Sequence, residues 1–166
     1  AQQQYQLREQ EKKRKEAEGE AIPENVRQII AEGERFIQKI KASNDAIPGV
    51  EISRKISYME NIVQKIFQRV QQKPQLAGDV KKLMSYYLPT TIKLLVAYEE
   101  LDAQPIQGPN IQNSKKEIED TMDTLNTAFE KILDDFYQDT AWDISSDISV
   151  LETMLAQEGL MKSDFE

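Results

Sequence analysis

The chain has 166 residues, a net charge of −8, and neither cysteine nor histidine. Those two absences exclude disulfide scaffolds, thiolate zinc sites, cysteine nucleophiles, phosphohistidine chemistry and any Ser-His-Asp arrangement, leaving carboxylates, hydroxyls, Lys and Arg to do chemistry. A chain of this sign repels nucleic-acid phosphates, and six glycines, six prolines and 7% aromatics are too few for a turn-rich β-sandwich. The charge is also polarised: from Glu117 to Glu166 fourteen acids accompany two bases, a net of −12, whereas the first 116 residues carry a net of +4.

The chain opens on Ala1-Gln2-Gln3-Gln4, without a methionine and inside a charged helical pattern, which reads as a fragment with sequence upstream. It shows no secretory signal and no apolar run of about 18 residues able to span a bilayer. Residues 1–20 form a polar helical leader in which Lys12-Lys13-Arg14-Lys15 sits among Glu9, Glu11, Glu16 and Glu18. Such a segment is either a solvated helix held by charge pairs or a juxtamembrane basic stretch facing the cytoplasm.

Five amphipathic helices are expected over residues 21–160. After Pro23, the residues Val26, Ile29, Ile30, Gly33, Phe36, Ile37 and Ile40 recur at three- and four-residue spacing up to Ser43-Asn44-Asp45. Beyond Ile47-Pro48-Gly49 the same period returns in Ile52, Ile56, Met59, Ile62, Val63, Ile66, Phe67 and Val70, stopping at Lys73-Pro74. Gly78-Asp79 predicts the next start, with Asp79 as N-cap. The stripe from Val80 to Leu101 keeps its phase through Pro89, which predicts one helix kinked there. Ala103 to Asn110 reads as a loop, and the capping-box pair Ser114/Glu117 predicts a helix carrying Ile118, Met122, Leu125, Phe129, Ile132, Leu133 and Phe136. A second pair, Thr140/Asp143, opens a last helix lined by Ile144, Ile148, Leu151, Met154 and Leu155 and closed by Gly159 as C-terminal cap. Residues 161–166 are expected to fray. The fold class is therefore all-α, an antiparallel bundle of about five helices behind a polar leader.

Two constellations are candidate sites. Asp135, Asp139, Asp143 and Asp147 stand at i+4 steps, with Asp134 beside the first. On one continuous helix they would line up to hold a divalent cation through oxygen ligands. A helix break near Asp139-Thr140 would destroy that register and leave Asp139 and Asp143 with capping and dipole roles. The second constellation, Tyr86, Tyr87, Leu88 and Pro89 followed by Thr90 and Thr91, reads as core packing at the kink or as a tyrosine-lined partner-binding groove. Trp142, the one tryptophan, is expected as a plug in the core beside the helix break. No glycine-rich phosphate loop or other phosphoryl-transfer motif is present in the sequence.

The stretch Lys82-Leu-Met-Ser-Tyr-Tyr-Leu-Pro-Thr-Thr-Ile-Lys-Leu-Leu95, continuing through Tyr98-Glu-Glu-Leu-Asp102, resembles the XpaC-like family, whose members are labelled 5-bromo-4-chloroindolyl phosphate hydrolysis proteins. Ala128 to Asp135 and Asp143 to Leu160 are similar to that family's C-terminal signature, so the resemblance covers roughly residues 79–160. It implies a bacterial protein with hydrophobic segments ahead of its soluble part, held at the cytoplasmic face of the membrane. It also implies a link to tellurite and toxic-anion resistance proteins of the TelA type as partners. It carries no catalytic residues over to this chain.

Two functions follow as expectations. The first is a non-catalytic interaction or scaffold domain without a cofactor, acting in toxic-anion or envelope stress and presenting Tyr86, Tyr87, Pro89 and Trp142 or its acidic helices to a protein partner. The second is a phosphate-ester hydrolase using Asp135, Asp139, Asp143 and Asp147 with a divalent cation.

Overall fold

The computed structural model describes residues 2–19 and 22–161, and among them there are helices and turns but no strand. The helices are α1 (Gln2–Gly19), α2 (Glu24–Ala46), α3 (Val50–Gln72), α4 (Leu88–Asp102), α5 (Pro109–Asp135) and α6 (Gln138–Gln157). Between α3 and α4 lie a 3-10 helix, Pro74–Val80, and a π-helical turn, Leu83–Tyr87. The all-α architecture expected from the 3.6-residue periodicity is the one observed. The expected fraying of 161–166 falls, beyond Met161, outside the described residues.

The chain divides into two units, residues 1–133 and 134–166, within the span expected as one bundle. In the first unit, α1 has hardly any apolar face and carries an Arg14–Glu11 pair one turn apart. Helices α2 and α3 form a tight hairpin through Ile47-Pro48-Gly49. It is stapled at its turn by Ser53 Oγ donating to Asn44 Oδ1 at 2.7 Å and by Asn44 Nδ2 donating to Ser57 Oγ at 2.9 Å. Their apolar stripes are buried almost completely: Ile40, Ile56, Met59, Val63, Ile66 and Val70 are sealed from solvent.

Helix α4 packs on α2, with Leu88, Thr91, Leu95 and Tyr98 inward. Helix α5 is tied to α3 and α4 by side chains. Lys55 meets Asp123 and Tyr58 meets Glu130, so α5 runs parallel to α3. Tyr98 meets Glu119 and Lys115 meets Asp102, so it runs antiparallel to α4. The four helices alternate in direction along the chain, yet the spatial pair α3–α5 is parallel, because the segment after α3 carries the chain across the bundle.

Three helix starts differ from the sequence expectation. The segment before α4 begins at Pro74, not at Asp79: Leu76 N–H donates to the Lys73 carbonyl, and Asp79 lies inside the 3-10 turn. Helix α5 begins at Pro109, five residues ahead of Ser114, because proline at the first helical position already has the required φ and no orphan N–H. Helix α6 begins at Gln138, which places Thr140 in its first turn. The C-terminal cap matches expectation. Gly159 is the positive-φ residue among those described, at +71°, and Leu160 N–H reaches back to the Leu155 carbonyl at 2.9 Å.

Gly33 of α2 lies directly against Phe67 of α3. A Cβ placed there would stand 2.5 Å from the ring of buried Phe67, whereas one at Gly78 would meet nothing within 4 Å. Gly33→Ala is therefore expected to lower the urea-unfolding free energy by about 1–3 kcal/mol. Gly78→Ala, at a negative-φ position with open space, is expected to raise it by about 0.4–1 kcal/mol.

Candidate functional site

The acidic residues do not form one stripe. Helix α5 ends at Asp135, and Phe136 and Tyr137 turn the chain before α6 starts at Gln138. Asp139, Asp143 and Asp147 therefore remain at i+4 steps on α6, while Asp135 ends a different helix. Among the described residues, no three or more Asp or Glu side chains gather in an arrangement that could hold a metal ion. The side chains of Asp139, Asp143 and Asp147 are exposed. A cation would need several carboxylate or carbonyl oxygens converging at once, and i+4 steps along one exposed helix do not supply that convergence.

The Tyr-Leu-Pro segment is kinked as expected, but by a π turn. Pro89 has no N–H to give the carbonyl of Ser85, and the chain answers by widening: Leu88 N–H donates to the carbonyl of Leu83, five residues back. Thr91 Oγ1 donates to the carbonyl of Tyr87 at 2.6 Å, one turn back on its own helix and not to the Ser85 carbonyl that the proline frees. Leu88 and Thr91 are sealed in the core. Tyr86 is 59% exposed, packs edge-on against Tyr87 at 5.7 Å, and lies one turn from exposed Pro89. Lys82 stands over the Tyr87 ring at 5.9 Å. Three of the four expected partner-binding residues thus share one bend.

Trp142 corrects the expectation of a core plug: it is 61% exposed on α6, in the second unit. By helical register, Trp142 falls on the side of α6 away from its apolar stripe. That stripe is exposed as well. Ile144, Ile148 and Leu151 are 53%, 47% and 55% exposed, and no side chain of α6 is buried.

A third cluster lies between α3, α4 and α5 and was not singled out from sequence. Tyr98, buried, donates its hydroxyl to Glu119 at 2.7 Å. Lys115 bonds Asp102 at 2.8 Å and Gln107 at 3.1 Å and stands over the Tyr98 ring. Gln107 in turn donates to the Leu101 and Gln104 carbonyls, closing the end of α4. Lys55 bonds Asp123 at 2.8 Å, and Asn126 donates to the Lys55 carbonyl at 3.0 Å while its own buried Oδ1 accepts nothing. The sequence signal was faint: a Lys and an Asn interrupting otherwise apolar faces. Apart from Asn126 Oδ1, these groups spend their hydrogen bonds on one another and on nearby carbonyls. The open cleft of about 430 Å³ near the 103–108 loop is lined by Gln104, Pro105, Ile106, Gly108, Pro109, Asn110 and Ile111, without an ionisable group.

The profile of the 5-bromo-4-chloroindolyl phosphate hydrolysis protein family matches residues 1–151, and the chain belongs to that family. The match starts far ahead of residue 79, where the recognisable motifs begin, and ends within α6. No curated protein and no solved structure matches the chain.

Burial, and then the bond to Glu119, push the Tyr98 hydroxyl well above the ordinary phenol range; the Asp123 carboxylate holds Lys55 above the usual lysine value. Both groups bind their protons more tightly folded than unfolded. Their contribution is therefore complete below an unfolded pKa of about 10 and is lost as pH rises through the folded values. Thermal unfolding is expected to show a melting temperature that falls above about pH 10. Tyr98→Phe should cost about 1.5 kcal/mol at neutral pH and make that alkaline decline shallower.

Proposed function

We propose that the chain is a helical interaction domain without catalytic activity of its own. The observation that carries this reading is helix α6, an amphipathic helix none of whose side chains is buried and whose apolar residues Ile144, Ile148 and Leu151 stand open, with Leu155 half-buried. Burial of such a stripe is the usual source of helix stability in proteins, and a contiguous exposed one marks a surface for association. The bend at Tyr86, Tyr87 and Pro89 is a second, smaller surface. The polar groups between the helices bond one another, and the carboxylates that would have to form a cation site are divided between the end of α5 and the exposed helix α6.

The family resemblance adds the setting of this reading. The full-length protein is tethered to a bacterial membrane by segments outside this chain and works on the cytoplasmic side in toxic-anion or envelope stress, with a toxic-anion resistance protein of the TelA type as a candidate partner. No helix among the described residues is long and apolar enough to cross a membrane itself.

The family description favours a second reading, hydrolysis of an aryl phosphate by Asp135, Asp139, Asp143 and Asp147 with a divalent cation. The two are separated by assaying the purified chain on an aryl phosphate with Mg²⁺, Mn²⁺ or Zn²⁺. The expected result is no turnover above metal and buffer alone and no shift in melting temperature on adding metal. Metal-dependent turnover that disappears in the Asp139→Ala/Asp143→Ala double variant would establish the hydrolase instead.

A further inference from the structure

Helix α6 has three distinct faces. Ala141, Ile144, Ile148, Leu151 and Leu155 follow one another at spacings of three and four, the apolar seam of a two-helix coiled coil. Opposite the seam, two hydroxyls bond within the helix: Ser149 Oγ donates to the Ser145 carbonyl and Thr153 Oγ1 to the Ser149 carbonyl. Along the seam, Ile144, Ile148 and Leu151 stand open. Flanking it are acids: Asp147 on one edge and Glu152 on the other, in the positions that meet a partner helix's own flanks. From Gln138 to Met161 the chain holds five acids, Asp139, Asp143, Asp147, Glu152 and Glu158, and no base.

That charge pattern selects the occupant. A second copy of α6 would set Asp147 against Glu152 in the parallel orientation and could offer no base to either acid in any register, and like charges across a helix pair are destabilising. We propose that α6 docks through its Ala141–Leu155 seam against an amphipathic helix of another protein, one whose apolar stripe is flanked by Lys or Arg. This rests on the interaction reading above and gives it a partner chemistry. The basic flanks speed encounter and set register, and the Ile and Leu seam supplies the affinity.

The test uses the whole chain and two labelled synthetic helices of about 21 residues, both with Leu and Ile at the seam positions, one flanked by Lys and the other by Glu. Fluorescence anisotropy should show binding of the Lys-flanked helix only, weakened about tenfold between roughly 0.05 and 0.5 M salt. Ile148→Ser/Leu151→Ser should abolish binding while leaving all acids in place. Asp147→Lys/Glu152→Lys should transfer the preference to the Glu-flanked helix. Helical circular dichroism confirms that each variant remains folded.

Several outcomes would overturn the proposal: no binding, equal binding of both helices, binding that survives the Ser variant, or binding indifferent to the Lys variant. Sedimentation showing self-association lost in the Ser variant would assign the seam to a second copy. In that case, absence of aryl-phosphate turnover would leave the broader interaction reading standing.

Discussion

The docking of α5 is the constraint on which the first unit depends. Over 27 residues this helix buries only Ile118, Met122, Asn126 and Phe129. Four side chains give a narrow apolar strip, so the remaining specificity comes from polar bonds reaching in from both sides. Lys55 and Asn126 fix α5 along α3, and Tyr98 and Lys115 fix it along α4. The buried Oδ1 of Asn126 lacks a donor, a cost of about 1–3 kcal/mol that a leucine would not incur. What the asparagine provides is a directional bond to one carbonyl, so a sliding α5 would leave two polar groups unpaired. Register is bought here at the expense of stability, in the way a single buried asparagine sets register in paired helices.

The same accounting of backbone groups explains the bend before α4. Proline removes one donor, and the chain does not break: it widens by one residue, and the helix continues beyond, where the Thr91 hydroxyl bonds the Tyr87 carbonyl. Widening rotates the residues on either side of the bend, so Leu83, Met84 and Leu88 remain inside while Tyr86 is turned out. An exposed tyrosine one turn from an exposed proline is then a by-product of satisfying carbonyls, and it is also a surface that a regular helix through this stretch would not present.

Helical periodicity made the number of helices and most inward residues legible in the sequence, because a stripe such as Ile52, Ile56, Met59, Val63 and Ile66 suits one secondary structure only. The errors came from local motifs set against stronger local chemistry. Ser114 and Glu117 have capping-box spacing, but Pro109 starts the helix earlier at no hydrogen-bond cost. Asp79 looks like an N-cap until Pro74 has already begun the turn. The Tyr98–Glu119 and Lys55–Asp123 bonds join residues 21 and 68 apart, and no local pattern encodes such meetings. Trp142 was misread for a related reason: a large aromatic suggests a core only where a second element exists to cover it.

Helix α6 shows that limit most clearly. Its seam of Ile144, Ile148, Leu151 and Leu155 has the same spacing and residue types as the buried stripe of α3, so periodicity alone cannot tell an internal face from one reserved for another molecule. The charge around it can. The α3 stripe lies on a helix that mixes Glu51 and Glu60 with Arg54, Lys55, Lys65 and Arg69, a mixed and slightly basic surround that acids of the same chain, such as Asp123, accommodate. The charged residues that border the α6 seam are acids alone. A face with that border gains little by meeting the acidic surfaces that dominate this half of the chain, or a copy of itself. It gains most from a basic helix, for which Asp147 and Glu152 provide both attraction and alignment.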